Sequence, residues 1–216
     1  MTVFLTAGPV RARTCLILAP GAGAPATSPW MERVSDLLSD AGLRVLRFDF
    51  AYMAARAAGV RRPPSRAEAL VSEYEAAVEA ARAELRSGQR LVVGGKSLGG
   101  RVASLAAQSL FDRRQISGLV CLGYPFHPPE KPEQLRTRHL AALTCPTLIL
   151  QGERDPFGVP SEVAGYGLAP AIAVHWLRDG DHDLKPRKSS GATLESNLSE
   201  AVGTIVGFAD GLDQPR

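Results

Sequence analysis

Leu91-Val92-Val93-Gly94-Gly95-Lys96-Ser97-Leu98-Gly99-Gly100 is the stretch from which the fold of this chain can be read. It begins as an apolar strand run and passes into Gly95-Lys96-Ser97-Leu98-Gly99, the pattern G-x-S-x-G. The residues that follow, Arg101-Val102-Ala103-Ser104-Leu105-Ala106-Ala107, have helical character. A serine between a strand end and a helix start, with glycine two residues before and two after, fits a turn too tight for side chains at those places. Such a turn lifts the hydroxyl above the strand ends. It also aims the first N–H groups of the helix at any oxyanion that forms there. The plainer alternative for Ser97 is a helix N-cap.

Outward from this stretch, strand and helix signals alternate. Apolar runs predict strands at 14–19, 44–48, 91–93, 116–122, 147–150 and 173–177. Helices are expected at 28–41, 68–85, 98–111 and 194–208, with a short one near 133–142. The 68–85 segment is the clearest: Leu70, Val71, Tyr74, Ala77, Val78, Ala81 and Leu85 recur on one face. Near-continuous apolar strands separated by helices predict a mostly parallel sheet of about six to seven strands with helices on both faces. Residues 51–66, basic and proline-rich, are expected to be irregular, and the tail after 211 to be frayed.

The chain has 216 residues and 45% apolar composition, enough for one α/β domain spanning 1–216. A net charge of +3 is too mild to argue for nucleic acid. No apolar run reaches the length of a bilayer span, and the N-terminus lacks the pattern of a secretory signal. Cys15, Cys121 and Cys145 sit in or beside strand runs without metal-ligand spacing. Buried free thiols in a reducing cytoplasm are therefore expected, with no metal and no cofactor.

Loops that follow parallel strands share one edge of the sheet. After the strand at 147–150 comes Gln151-Gly152-Glu153-Arg154-Asp155-Pro156, and after the strand at 173–177 comes Asp179-Gly180-Asp181-His182-Asp183. The order Ser97, Asp155, His182 is nucleophile, acid, histidine. A serine hydroxyl attacks well only when a base takes its proton. His182 is the expected base, and Asp155 the expected partner that holds its tautomer. The N–H groups of Leu98 and of Ala22, in Pro20-Gly21-Ala22-Gly23, are the expected oxyanion donors. Each residue has a blander reading: a turn for Asp155, a surface loop for His182. His127 competes as a base or pocket residue, whereas His175 reads as a strand residue and His139 as solvated.

Two other motifs overlap these stretches. Gly95-Lys96-Ser97 ends like a P-loop, but Arg90 stands where its first glycine belongs. Gly21-Ala22-Gly23-Ala24-Pro25-Ala26, with Asp49 after the next strand, outlines a dinucleotide fingerprint, but Pro25 falls in the phosphate turn.

Together with Ala19-Pro20-Gly21-Ala22-Gly23, Arg47-Phe48-Asp49-Phe50-Ala51-Tyr52-Met53, Gly123-Tyr124-Pro125-Phe126-His127-Pro128-Pro129 and Asp181-His182-Asp183-Leu184-Lys185-Pro186, the elbow resembles the α/β-hydrolase superfamily across nearly the whole chain. More narrowly it looks like the small lidless testis-expressed and chromatin-complex group, near the dienelactone hydrolases. Pro20 stands where many members carry a histidine. The resemblance implies Ser97, Asp155 and His182 as the catalytic residues. Lids of this fold insert after the strand that ends here at Leu122, and only a short proline-rich loop follows. An open site for small esters or thioesters is expected, walled by Tyr52, Met53, Phe126, His127 and Phe157. Arg56, Arg61, Arg62, Lys185, Arg187 and Lys188 crowd the same face, read either as a solvated rim or as a field that steers anionic substrates. A non-catalytic binding or scaffold domain is the alternative function.

Overall fold

The computed structural model describes residues 2–57, 59 and 63–212, with the side chains of 54, 56 and 57 outside that description. Seven strands form one sheet: β1 (Leu5–Ala7), β2 (Thr14–Ala19), β3 (Arg44–Arg47), β4 (Arg90–Lys96), β5 (Gly118–Leu122), β6 (Thr147–Gly152) and β7 (Ile172–Leu177). Their order is β1-β3-β2-β4-β5-β6-β7. β1 pairs antiparallel with β3 through Leu5↔Arg47, and every other neighbouring pair is parallel.

Alternation along β2 shows why both faces must be covered. Cys15, Ile17 and Ala19 join one apolar cluster, while Leu16 and Leu18 join another on the opposite face. Helices α3 (Val71–Glu84) and α4 (Leu98–Asp112) cover the first face with Tyr74, Ala77, Val78, Ala81, Val102 and Ala106. Helices α1 (Pro29–Asp40) and α6 (Leu194–Gly211) cover the second with Met31, Val34, Leu38, Leu198, Ala201 and Ile205. Each large aliphatic side chain sealed in these layers contributes about 1.5–3 kcal/mol, so the sheet cannot slip by one residue without exposing a whole row.

Helix α2 (Ala51–Ala57) forms within the segment expected to be irregular, and α5 (Pro160–Val163) is a further short helix. The helix expected near 133–142 is absent. Only a 3-10 turn at Leu140–Ala142 lies there, and the preceding loop is tied down by Arg136 N donating to Phe126 O (2.8 Å) and Tyr124 Oη donating to Arg136 O (3.0 Å). Between β5 and β6, where a lid would insert, the described residues form only this loop and turn. The fold is thus an α/β-hydrolase fold without a lid.

Strand β4 is longer than its apolar run and carries the site at its end. The Tyr74 hydroxyl of α3 donates to Gly94 O and accepts from Gly94 N at 2.8 Å each. A Cβ at Gly94 would meet Val120 O at 2.2 Å. The expectations on Arg61, Arg62 and the tail beyond 212 lie outside the described residues, as does the side chain of Arg56.

Candidate active site

Ser97 sits between β4 and α4 with φ 48 and ψ −112, a conformation that a serine rarely adopts. The turn closes so tightly that a Cβ at Gly95 would lie 2.6 Å from Ala19 O, and one at Gly99 2.3 Å from the same atom. Ser97 is not a side-chain N-cap: its hydroxyl makes no cap hydrogen bond. Instead Oγ lies 2.8 Å from His182 Nε2, and His182 Nδ1 lies 2.8 Å from Asp155 Oδ2. Residues 85 and 27 positions apart meet here because β4, β6 and β7 end on one edge.

Asp155 is fully buried, and both of its oxygens accept hydrogen bonds. Oδ2 accepts from His182 Nδ1 and from Gln151 Nε2 (2.9 Å), and Oδ1 accepts from Phe157 N (2.9 Å). A carboxylate only accepts, so this pairing places the imidazole proton on Nδ1 and leaves the Nε2 lone pair facing the Ser97 hydroxyl. Gln151 is held in turn by Tyr124 N, which donates to its Oε1 at 2.7 Å. Sequence reasoning assigned Gln151 no role. Its signal is a glutamine near the end of an apolar strand, four residues before the acid.

The His182 loop is braced on three sides. Lys96, 8% exposed, donates to His182 O (3.0 Å), pairs with Asp183 (2.8 Å) and lies 5.2 Å from the centroid of the Trp30 ring. Trp30 Nε1 donates to Asp183 O at 2.9 Å. Leu184 adopts φ 62, at a cost of about 1–2 kcal/mol, but its side chain is fully buried. That burial is worth about 1.5–3 kcal/mol and offsets the strain. Gly123, at φ 62, leaves room for His182: a Cβ there would lie 2.8 Å from the backbone His182 O and 3.3 Å from Nδ1 of its ring. Lys96, read from sequence as a basic residue inside the elbow, is thus a positioning residue. Lys96→Met keeps the apolar stem over Trp30 and removes both polar ties. We expect kcat on an ester to fall roughly tenfold with KM little changed, and Lys96→Arg to restore part of it; equal loss in KM alone would count against this.

At the start of this loop Asp179, at φ 51, accepts from the N–H of Arg187 (2.8 Å) and forms ion pairs with Arg187 and Arg154. The Arg187 guanidinium, foremost, holds the Asp179 carboxyl down to about 2. A lowered folded pKa means stability that is complete above the usual aspartate range and lost as pH falls through the folded value. Asp179→Asn is therefore expected to lower the urea midpoint at pH 6, with the gap to the natural protein closing between about pH 4 and pH 2. A gap that persists at pH 2 would point to a cause other than charge.

Leu98 is the first residue of α4, where a helix N–H has no intrahelical acceptor. The loop after β2 brings Ala22 to the same place. Ala22, Ser97 and Phe157 line both of two cavities that meet there, of about 660 and 390 Å³. The larger runs past Leu98 and Pro125 to Arg101 and Arg136, and the smaller past Trp30 and Met31 to His182. Phe157 packs on the His182 ring with centroids 4.3 Å apart.

Of the five expected wall residues, only Phe157 lines these cavities. Tyr52 and Met53 (each 6% exposed) and Phe126 (0%) belong to the core cluster on the α3–α4 face. His127 is 2% exposed, with Nδ1 2.9 Å from Pro128 O and Nε2 3.3 Å from Glu162. Aromatic rings just past strand ends are drawn under the sheet edge, where burial is worth more than lining a wet cleft. His139 is not solvated: its Nε2 lies 2.8 Å from Ser104 Oγ, and burial, then Arg101, pushes its pKa down to about 4. His175 stands on β7 with Nε2 2.8 Å from Glu200. Asp49, which a dinucleotide fingerprint would place on a ribose, accepts from Ala26 N at 2.7 Å, and Arg47 donates to Ala26 O at 2.6 Å.

Burial pushes the thiols of Cys15 and Cys145 up to about 12 and that of Cys121 higher still. Among the described residues no His, Cys, Asp and Glu cluster is placed to hold a metal ion, and no helix is long and apolar enough to cross a membrane.

Solved structures share this architecture. An α/β serine hydrolase without lid from Xanthomonas campestris is 18% identical, with TM-score 0.66 and 97% of this chain and 94% of that one covered. A dienelactone hydrolase from Anabaena variabilis is 19% identical, TM-score 0.69, covering 96% and 97%. Est1E from Butyrivibrio proteoclasticus, with ferulic acid bound, is 16% identical, TM-score 0.70, covering 95% and 94%. At these identities the likeness is one of fold. The family model described as an alpha/beta hydrolase domain matches residues 12–210, and the chain belongs to that family.

Proposed function

We propose that this protein is a serine hydrolase that cleaves small carboxylic esters or thioesters through an acyl-enzyme. The observation that carries the reading is the continuous relay from Ser97 Oγ through His182 to Asp155, with both contacts at 2.8 Å. His182 Nε2 takes the hydroxyl proton as Ser97 Oγ bonds to the acyl carbon. The carbonyl oxygen becomes an oxyanion facing the N–H groups of Leu98 and Ala22. His182 returns the proton to the leaving alcohol or thiol as the tetrahedral centre collapses. Water repeats the sequence, with His182 as its base, and frees the acid and Ser97. Asp155, buried and already satisfied by Gln151 and Phe157 N, stabilises the imidazolium without taking its proton. Each oxyanion donor is worth about 3–4 kcal/mol in a preorganised site.

The lidless cleft favours short acyl groups over long ones, which need enclosure. The three buried free thiols suit a reducing, cytoplasmic compartment, and residues 1–216 act as one hydrolase unit in this reading. Within the family the Gly123-Tyr124-Pro125-Phe126-His127 loop favours the lidless testis-expressed group. The test is a panel of 4-nitrophenyl esters from acetate to palmitate, with fluorophosphonate labelling of the same preparation. Stoichiometric labelling and a preference for short chains are expected. Folded protein that neither labels nor turns over any member would leave a binding or scaffold domain.

A further inference from the structure

The cleft at Ser97 continues along the outer side of α4. There Arg66, Arg101 and Arg136 line it, with Glu68 as the one carboxylate among its lining residues. A neighbouring cavity of about 450 Å³ shares Glu68, Arg101 and Arg136 and adds Arg138 and His139. Four guanidinium groups therefore face one acid.

That acid is already used. Glu68 pairs with Arg101, yet Arg101 Nε is buried with no hydrogen-bond partner. Arg136 is half-buried, and its guanidinium makes no hydrogen bond or ion pair among the described residues. Burial, then Arg101, pushes its pKa below the ordinary arginine range. His139 is neutral at pH 7 for the same two causes and does not add to the charge. A half-buried, unpaired guanidinium is unusual, because cations removed from water are ordinarily matched. The opposite rim differs. Lys96 is tied to Asp183 and Arg187 to Asp179, so those cations are matched from within.

Position places this cluster beside Ser97. Arg101 lies one helical turn beyond Ser97 and donates its N–H to Ser97 O at 2.9 Å. Ser97, Arg101 and Arg136 line the same cavity. We propose that Arg136 and Arg101 form a subsite for an oxyanion carried by the substrate, so that the ester taken at Ser97 bears a carboxylate or phosphate. Planar guanidinium groups suit both oxyanions. Glu68 is the internal anion that this group displaces from Arg101. The inference rests on Ser97 as nucleophile only for where the ester bond lies.

The test compares kcat/KM for mono-4-nitrophenyl glutarate with that for 4-nitrophenyl butyrate. Arg136→Gln is expected to lower the glutarate-to-butyrate ratio roughly tenfold or more, the usual reach of a charge-assisted pair. Glu68→Gln acts in the opposite direction and raises the ratio, because it frees Arg101. Lys185→Gln, on the exposed rim, leaves the ratio as it was; a drop equal to that of Arg136→Gln would mean a diffuse field and would overturn the subsite. A second readout needs no turnover. Glutarate and inorganic phosphate are titrated calorimetrically into Ser97→Ala protein, with and without Arg136→Gln. Binding of either anion that Arg136→Gln abolishes supports the subsite even where no ester is cleaved, an outcome that would sink only the hydrolase reading. Butyrate turnover with a ratio and anion binding indifferent to Arg136 and Glu68 would sink the subsite and leave the hydrolase reading intact.

Discussion

Ser97→Ala is expected to reduce kcat/KM on any accepted ester by roughly ten-thousand-fold or more, with fluorophosphonate labelling lost and Tm unchanged. The size follows from how the relay works. In the proposed mechanism Ser97 Oγ is the atom that bonds to the acyl carbon, and His182 and Asp155, linked to it at 2.8 Å each, act through that atom. What survives is the binding and oxyanion stabilisation supplied by backbone N–H groups. For the same reason Ser97→Ala combined with His182→Ala should be little worse than Ser97→Ala alone, because residues acting as one unit are not additive. Near-multiplicative losses, or labelling that persists in Ser97→Ala, would place the nucleophile elsewhere. Tm is the control, since Ser97 makes no cap hydrogen bond that folding would miss.

Gly99→Ala is expected to destabilise the fold by about 3 kcal/mol or more, and to lower kcat in whatever fraction folds. The new Cβ would lie 2.3 Å from Ala19 O, 2.6 Å from Ala19 C and 2.7 Å from Pro20 O. All three are backbone atoms, so no side chain can swing away. Relief requires moving the end of β2 and the start of the loop that carries Ala22. Stability and the placement of Ala22 beside Ser97 are therefore expected to fail together. Gly203→Ala is the contrasting control: this glycine lies in α6 with nothing within 4 Å of the added Cβ, and the change should stabilise by about 0.5–1 kcal/mol. Urea midpoints of the two variants moving in opposite directions would bear out the steric account. A Gly99→Ala protein as stable as the natural one would refute it.

The elements that could be read from sequence are those whose signal is local. Long amphipathic stretches such as α3 and the apolar runs of β2, β4 and β6 announce themselves through period and composition. β1 does not, because three residues on an antiparallel edge are too few to show a period. Helix α2 was hidden by the proline-rich, basic residues that follow it. The absent helix near 133–142 had adequate propensity, but the chain there is held by bonds from Arg136 N to Phe126 O and from Tyr124 Oη to Arg136 O. Tertiary partners outweighed a weak local preference. The placement of the aromatic residues after strand ends was hidden for a related reason. Nothing local tells whether an aromatic ring after a strand turns into the cleft, as Phe157 does, or under the sheet, as Tyr52 and Phe126 do.

By itself the sequence determined the alternating α/β architecture and the tight strand-to-helix turn at Ser97, because both rest on steric demands among neighbours: apolar strands that need two covered faces, and glycines where no side chain fits. It also placed Asp155 and His182 in loops that share the edge with Ser97. Only the tertiary structure decided that their atoms meet at 2.8 Å, that Gln151 donates to the acid, and that Lys96 is tied to the His182 loop. It alone also gathered Arg66, Arg101 and Arg136 around a single glutamate. Those facts depend on distances between residues tens of positions apart, which are set by how the layers pack and not by any local pattern.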